Sequence, residues 1–174
     1  MICICAALPE RPFSGLVINR KEQQKLALLI QEVTGMMPFI FNSQSGLYVF
    51  CAARKTEEAL LERIELFIRS TATSFHWVQA GDTPHFFSTV VRQALNHPNG
   101  SSLGWKNFIS SFLIQLDPFD GKVLPVFSLF KNFVAVVKVT GTPSQLDYLK
   151  KKMNSLRTRV NVDALFYESG SEEI

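Results

Sequence analysis

Acid–base or metal chemistry in this chain would have to start from three histidines, His76, His85 and His97, because imidazole titrates near neutrality and ligates transition metals. None of them stands in a nucleophile or zinc spacing. The chain has no Gly-x-Ser-x-Gly, no His-Glu-x-x-His, no Gly-x-Gly-x-x-Gly and no phosphate-cradling Gly-Lys-Thr. Asp82 and His85 form the nearest acid/imidazole pair. Asp82, however, precedes Thr83 and Pro84 at the head of a helical pattern, where its carboxylate serves better as an acceptor for backbone N–H groups. Asp117 and Asp120 would suit paired-carboxylate catalysis, yet Asp117-Pro118-Phe119-Asp120-Gly121 reads as a turn that accounts for both. The expectation is a non-enzymatic chain with no catalytic, cofactor or metal site.

The three cysteines, Cys3, Cys5 and Cys51, cannot all pair within one chain and lack tetrahedral zinc spacing. Alternation puts Cys3 and Cys5 on one face of a strand, which predicts buried thiols acting as small apolar groups.

Charge is distributed unevenly. Residues 1–83 carry eight basic and eight acidic side chains, residues 84–168 carry ten and five, and the tail adds Glu172 and Glu173, for a net +3. The densest basic stretch is Lys150, Lys151, Lys152, Arg157 and Arg159. It suits an acidic partner, an anionic membrane surface or phosphates, and equally a solvated helix end complementing the helix dipole. The chain also holds fifteen phenylalanines. Phe127, Phe130 and Phe133 fall close together in the basic half and, with the basic stretch, are the expected partner-binding residues. Lys131-Asn132-Phe133-Val134-Ala135-Val136 loosely follows an RNA-recognition strand, with Asn132 and Ala135 in place of the glycine and a stacking aromatic.

The elements that must position these residues follow from periodicity and turn chemistry. Ile2 to Leu8 and Phe13 to Ile18 read as a hairpin across Pro9-Glu10-Arg11-Pro12. Asn19 caps a helix to Thr34 with Leu26, Leu29, Ile30 and Val33 inward and Gly35 as its stop. Phe39 to Phe41 and Leu47 to Ala53 form a second hairpin, and Thr56 caps a helix with Leu60, Leu61, Ile64, Phe67 and Ile68 on one face. Phe75 to Val78 reads as a strand. Asp82-Thr83-Pro84 opens a helix that Pro98-Asn99-Gly100 closes. A further helix carries Trp105, Phe108, Ile109, Phe112, Leu113 and Leu116. Strands are then expected over Lys122 to Leu129 and Phe133 to Thr140. The capping box Thr142-Pro143-Ser144-Gln145 opens a helix with Leu146, Leu149, Met153 and Leu156 inward, and Asn161 to Tyr167 reads as a last strand.

At 174 residues and 47% hydrophobic, the chain can bury a core without disulfides. The expected class is α+β, as two small α/β lobes in which amphipathic helices pack antiparallel hairpins, at residues 1–80 and 81–168, with a disordered tail at 169–174. Helix, strand, strand, helix, strand occurs twice, at about 20–78 and about 103–167, an order that internal duplication or any α+β sandwich produces. No apolar run approaches the roughly 18 to 20 residues of a membrane span. The opening Met1-Ile2-Cys3-Ile4-Cys5 lacks the basic flank of a secretion signal, so a cytoplasmic location is expected.

The succession of Ile2 to Leu8, Phe13 to Ile18, the helix at Lys21-Glu22-Gln23-Gln24-Lys25-Leu26, the strand Ser45-Gly46-Leu47-Tyr48-Val49-Phe50 and the helix from Glu57 to Ile68 resembles longin-type domains over about residues 1–70. These include the small chains of clathrin adaptors and the small subunits of tethering complexes. The chain departs from them in having room for two strands, not three, between the helices. The resemblance implies a non-catalytic scaffold that pairs with other domains in trafficking or small-GTPase complexes, and it assigns no site residue. Together these readings lead to a protein-interaction subunit or regulator, acting in a hetero-complex or homodimer. The alternative is a nucleic-acid-binding module using the basic second half.

Overall fold

The computed structural model describes residues 2–10, 16–44, 46–52, 58–71, 74–80, 88–89, 91–92, 94–95, 102–119, 126–157 and 166. The class is α+β. The chain divides into two units, Met1–Phe86 and Phe87–Ile174.

In the first unit the order is β1 (Ile2–Pro9), α1 (Arg20–Thr34), β2 (Phe39–Ser43), β3 (Gly46–Ala52), α2 (Glu58–Thr71) and β4 (Phe75–Ala80). The strands form one antiparallel sheet in the order β2-β3-β1-β4, which is the split βαβ, or ferredoxin-like, arrangement. Helix α1 forms where expected. The Asn19 side chain accepts the Glu22 N–H at 2.9 Å, and Gly35, at φ 74°, donates its N–H to the Gln31 carbonyl. The left-handed stop costs glycine nothing. Leu26 and Ile30 of α1 and Leu60, Leu61, Ile64 and Ile68 of α2 pack with Cys5, Ala7, Ile40, Leu47, Val49 and Cys51 of the sheet. Cys5 and Cys51 are buried, as alternation predicts for Cys5. Cys51 stands opposite Cys3 in the ladder.

The expected first hairpin does not form over residues 16–18 of its second arm, which are not strand, and residues 11–15 lie outside the described residues. Both edges of β1 are already taken, by β3 and by β4, so no ladder is left for a hairpin partner. The chain before α1 is held by a side chain instead. Buried Asn42 of β2 donates from Nδ2 to the Ile18 carbonyl at 2.9 Å and to Gln23 Oε1 at 3.1 Å.

The second unit is helical throughout its described elements. Residues 88–89, 91–92 and 94–95 are helical, with Val91 and Leu95 buried. Then come α3 (Ser102–Leu116), α4 (Val126–Thr140) and α5 (Pro143–Asn154). The strands expected at 122–129 and 133–140 are corrected by α4, with 122–125 outside the described residues. The element order on which the duplication reading rested therefore does not recur here. Leu129, Phe130, Phe133, Val134 and Val137 of α4 are buried, as are Ile109, Phe112, Leu113 and Leu116 of α3, and the Phe112 and Phe133 rings stack at 4.7 Å. Helix α5 opens on the expected capping box. Thr142 Oγ1 accepts the Gln145 N–H, and Gln145 Oε1 accepts the Thr142 N–H at 2.9 Å. Of its expected inner stripe, Leu149 and Met153 are buried with Gln145, while Leu146 is half-buried. The strand expected at 161–167 lies outside the described residues except Phe166, whose backbone is helical. No helix among the described residues is long and apolar enough to cross a membrane.

Candidate interaction surface

The expected partner-binding residues do not form one patch. Phe130 and Phe133 are 1% and 0% exposed, so they are core groups of α4, not surface anchors. Phe127 lies in the first turn of α4 with its side chain outside the described residues, as is all of Arg159. Arg157 is exposed, and its backbone N–H donates to Asp117 Oδ2 at 3.0 Å, which gives Asp117 the structural use a turn carboxylate should have. His76 is exposed on β4. Asp82, His85, His97 and Asp120 lie outside the described residues.

Helical geometry divides Lys150, Lys151 and Lys152. Successive residues project about 100° apart, and Gln145, Leu149 and Met153 make the buried stripe of α5. The outward position falls to Lys151, which is exposed together with Asp147 one turn earlier. Lys150 and Lys152 fall on opposite shoulders of the stripe, half-buried, and each meets an aromatic ring. Lys150 Nζ is 5.9 Å from the Phe166 ring centroid. The ammonium of Lys138 in α4 sits 5.8 Å from the same ring and donates to the Phe166 carbonyl.

The other shoulder gathers more groups. Lys152 Nζ stands 5.6 Å from the Tyr148 ring, one turn earlier on α5. Lys106 Nζ, from α3, stands 5.4 Å from that same ring and 5.7 Å from the Trp105 ring. Trp105 meets Tyr148 edge to face at 5.2 Å. The Tyr148 hydroxyl bonds Ser110 Oγ at 2.7 Å. Each ammonium thus sits within reach of a ring, a contact worth about 0.5–1 kcal/mol where partly exposed. Trp105, Lys106, Ser110, Tyr148 and Lys152 are all half-buried.

The electrostatic setting is lopsided. Helices α3, α4 and α5 contain six lysines and a single carboxylate, Asp147. The ion pairs that join two described residues are Lys25–Glu22 and Arg69–Glu65, both in the first unit. Lys106 and Lys152 therefore hold two positive charges on one ring with no carboxylate beside them among the described residues.

Sequence reasoning missed Trp105, Lys106, Ser110 and Tyr148 as a group. Trp105 fits the apolar stripe of α3, and no local motif ties that helix to Tyr148 on α5. The signals present were the i, i+4 pairs Lys106/Ser110 and Tyr148/Lys152, each placing two groups on one helix face.

The RNA-recognition stretch is likewise corrected. Residues 131–136 are helical, with Phe133 and Val134 buried. In the first unit the sheet carries Phe39, Phe41, Tyr48 and Phe50 on the face opposite α1 and α2, with Phe39 against Phe50 and Phe41 stacked on Tyr48. A split βαβ sheet could stack bases on such rings. All four are at most 5% exposed, which closes them to a base. No family model, no curated protein and no solved structure matches the chain.

Proposed function

We propose that the chain is a non-enzymatic protein-interaction subunit that works in a hetero-complex or homodimer and meets an acidic partner protein through its second unit. The observation that carries this reading is the excess of lysine over carboxylate on α3, α4 and α5. An excess of charge of one sign is best relieved by a surface of the other sign, and it raises the rate of encounter with one.

The aromatic rings favour a protein over a nucleic acid as that surface. A stacking site for bases needs an open ring face, whereas Trp105, Tyr148 and Phe166 have the chain's own ammonium groups set over them. The longin-type resemblance of residues 1–70, now without strand at residues 16–18, implies a scaffold in trafficking complexes, and a cytoplasmic setting suits such a role.

Purification of the tagged chain from its host, followed by affinity measurement against the co-purifying protein at two salt concentrations, tests the reading. The expected result is a complex whose affinity falls moderately with salt. A chain that sediments as a monomer at high concentration and yields no partner contradicts it. Tight binding of single-stranded nucleic acid with a steep salt slope would favour the alternative.

A further inference from the structure

Resting on that reading, we infer that Lys106, Lys152, Ser110, Tyr148 and Trp105 form a receptor for one aspartate or glutamate side chain of an acidic segment in the partner protein. The ground for it is a hydrogen-bond inventory. Ser110 and Tyr148 own two hydroxyl protons between them, and their mutual bond at 2.7 Å uses one. Whichever hydroxyl accepts still has its own proton to donate. The Trp105 indole N–H has no acceptor among the described residues; its contacts there are the Tyr148 ring and the Lys106 ammonium. Lys106 and Lys152 add ammonium donors that no carboxylate engages among the described residues.

The set therefore has donors to spare and two positive charges, gathered on one tyrosine from two helices. A carboxylate has the opposite inventory, about four lone-pair sites and no donor. The rings also fix the lysine stems before any partner arrives, so less side-chain freedom is lost on binding than at a freely solvated lysine. Lys151 lacks both advantages, since it is exposed and shares the outward face of α5 with Asp147. It is the internal comparison.

The test uses the full chain and a fluorescein-labelled peptide of alternating glutamate and glycine at low ionic strength, with a single-stranded RNA oligonucleotide as a second probe. The variants are Lys106→Met with Lys152→Met, Tyr148→Phe, and Lys151→Met. Methionine keeps an apolar stem over the ring and removes the charge. Melting curves establish that each variant is folded.

Loss of two charge-assisted contacts is expected to weaken peptide binding at least about tenfold in the double variant. Lys151→Met is expected to change it less than about twofold, as for a solvated rim charge. Tyr148→Phe, which removes the hydroxyl pair and leaves the ring, is expected to fall between them. Equal losses for Lys151→Met and the double variant would overturn the site in favour of diffuse attraction. A parent chain that ignores the peptide overturns it too, and the acidic-partner reading then stands only if a host partner still co-purifies. RNA binding tighter than peptide binding and lost in the double variant would overturn it by reassigning the same lysines to phosphates.

Discussion

The two units handle their positive charge in different ways. In the first, Lys25 pairs with Glu22 and Arg69 with Glu65 on their own helices, one turn apart, and Arg69 also caps the Phe75 ring at 5.0 Å. In the second, Lys106 and Lys152 lie on aromatic rings. An ion pair neutralises a cation, whereas a ring holds it and leaves its charge in place. Lys106 and Lys152, with two ammonium groups on one tyrosine and no described carboxylate beside them, are the sharpest case of the second arrangement. The anion site proposed above therefore falls on α3 and α5 and not on α1 or α2.

The largest effect should come from separating core from surface in the second unit. Phe133→Ala removes a ring that is 0% exposed and stacked on Phe112, and is expected to cost about 3–5 kcal/mol. Urea unfolding measures it. A loss below about 1 kcal/mol would return Phe133 to the surface and undo the division between buried phenylalanines and ring-held lysines.

Next in size is a backbone effect in the first unit, where β3 of the β2–β3 hairpin opens on Gly46, opposite Ser43. Its φ is 156°, and an added Cβ would lie 3.0 Å from Leu8 Cδ2 and 3.0 Å from the Tyr48 hydroxyl oxygen. Gly46→Ala should cost about 1–3 kcal/mol. Gly35, at φ 74° with nothing within 4 Å of an added Cβ, isolates the conformational part alone, at about 1 kcal/mol for Gly35→Ala. Near-equal losses would mean that crowding at Gly46 is relieved by movement of Tyr48 and Leu8.

These positions also mark what was legible in the sequence. Asn19, Gly35 and the Thr142/Gln145 box are local hydrogen-bonding devices, and each sits where its residue type requires. The β2–β3 hairpin was legible because a short polar turn separates two apolar runs. Helix α4 was not, because Val-Phe-Ser-Leu-Phe-Lys-Asn-Phe-Val-Ala-Val-Val-Lys-Val-Thr is rich in strand-favouring residues. Its helical trace, the exposed Ser128, Lys131, Ala135 and Val139 at helical spacing, includes two apolar side chains and so does not stand out as a polar face. The strand expected at Phe13 to Ile18 is missing over residues 16–18, and the pairing that would have carried it is taken for a tertiary reason, since no local rule says that β3 and β4 will occupy both edges of β1. The Tyr148 cluster needed α3 and α5 side by side before its members met.

Capping gives a middle-sized comparison between the units. Asn19→Ala and Thr142→Ala each remove one side-chain acceptor at a helix start, for an expected loss of about 1 kcal/mol each. Thr142→Ala also leaves the Gln145 side chain, 7% exposed, closing only half of its box. Chemical denaturation should rank Thr142→Ala as the larger loss, and the reverse order would mean that Gln145 holds the turn without its partner.

The smallest effects carry the sharpest test, because the ion pair and the ring contact should respond to salt with opposite signs. Glu65→Gln breaks an exposed ion pair whose side chains are 53% and 29% accessible, with N···O at 2.7 Å. Its cost, about 0.3–0.5 kcal/mol at low salt, should shrink as salt screens the charges. Lys152→Met removes a ring contact of about 0.5–1 kcal/mol, but it also removes repulsion from Lys106, which faces the same tyrosine. That relief is greatest at low salt. Lys152→Met should therefore cost least in dilute buffer and progressively more as salt is raised, while Glu65→Gln does the reverse. Parallel trends in the two variants would mean that a carboxylate already neutralises Lys106 and Lys152, and the surplus positive charge of the site would be lost with it.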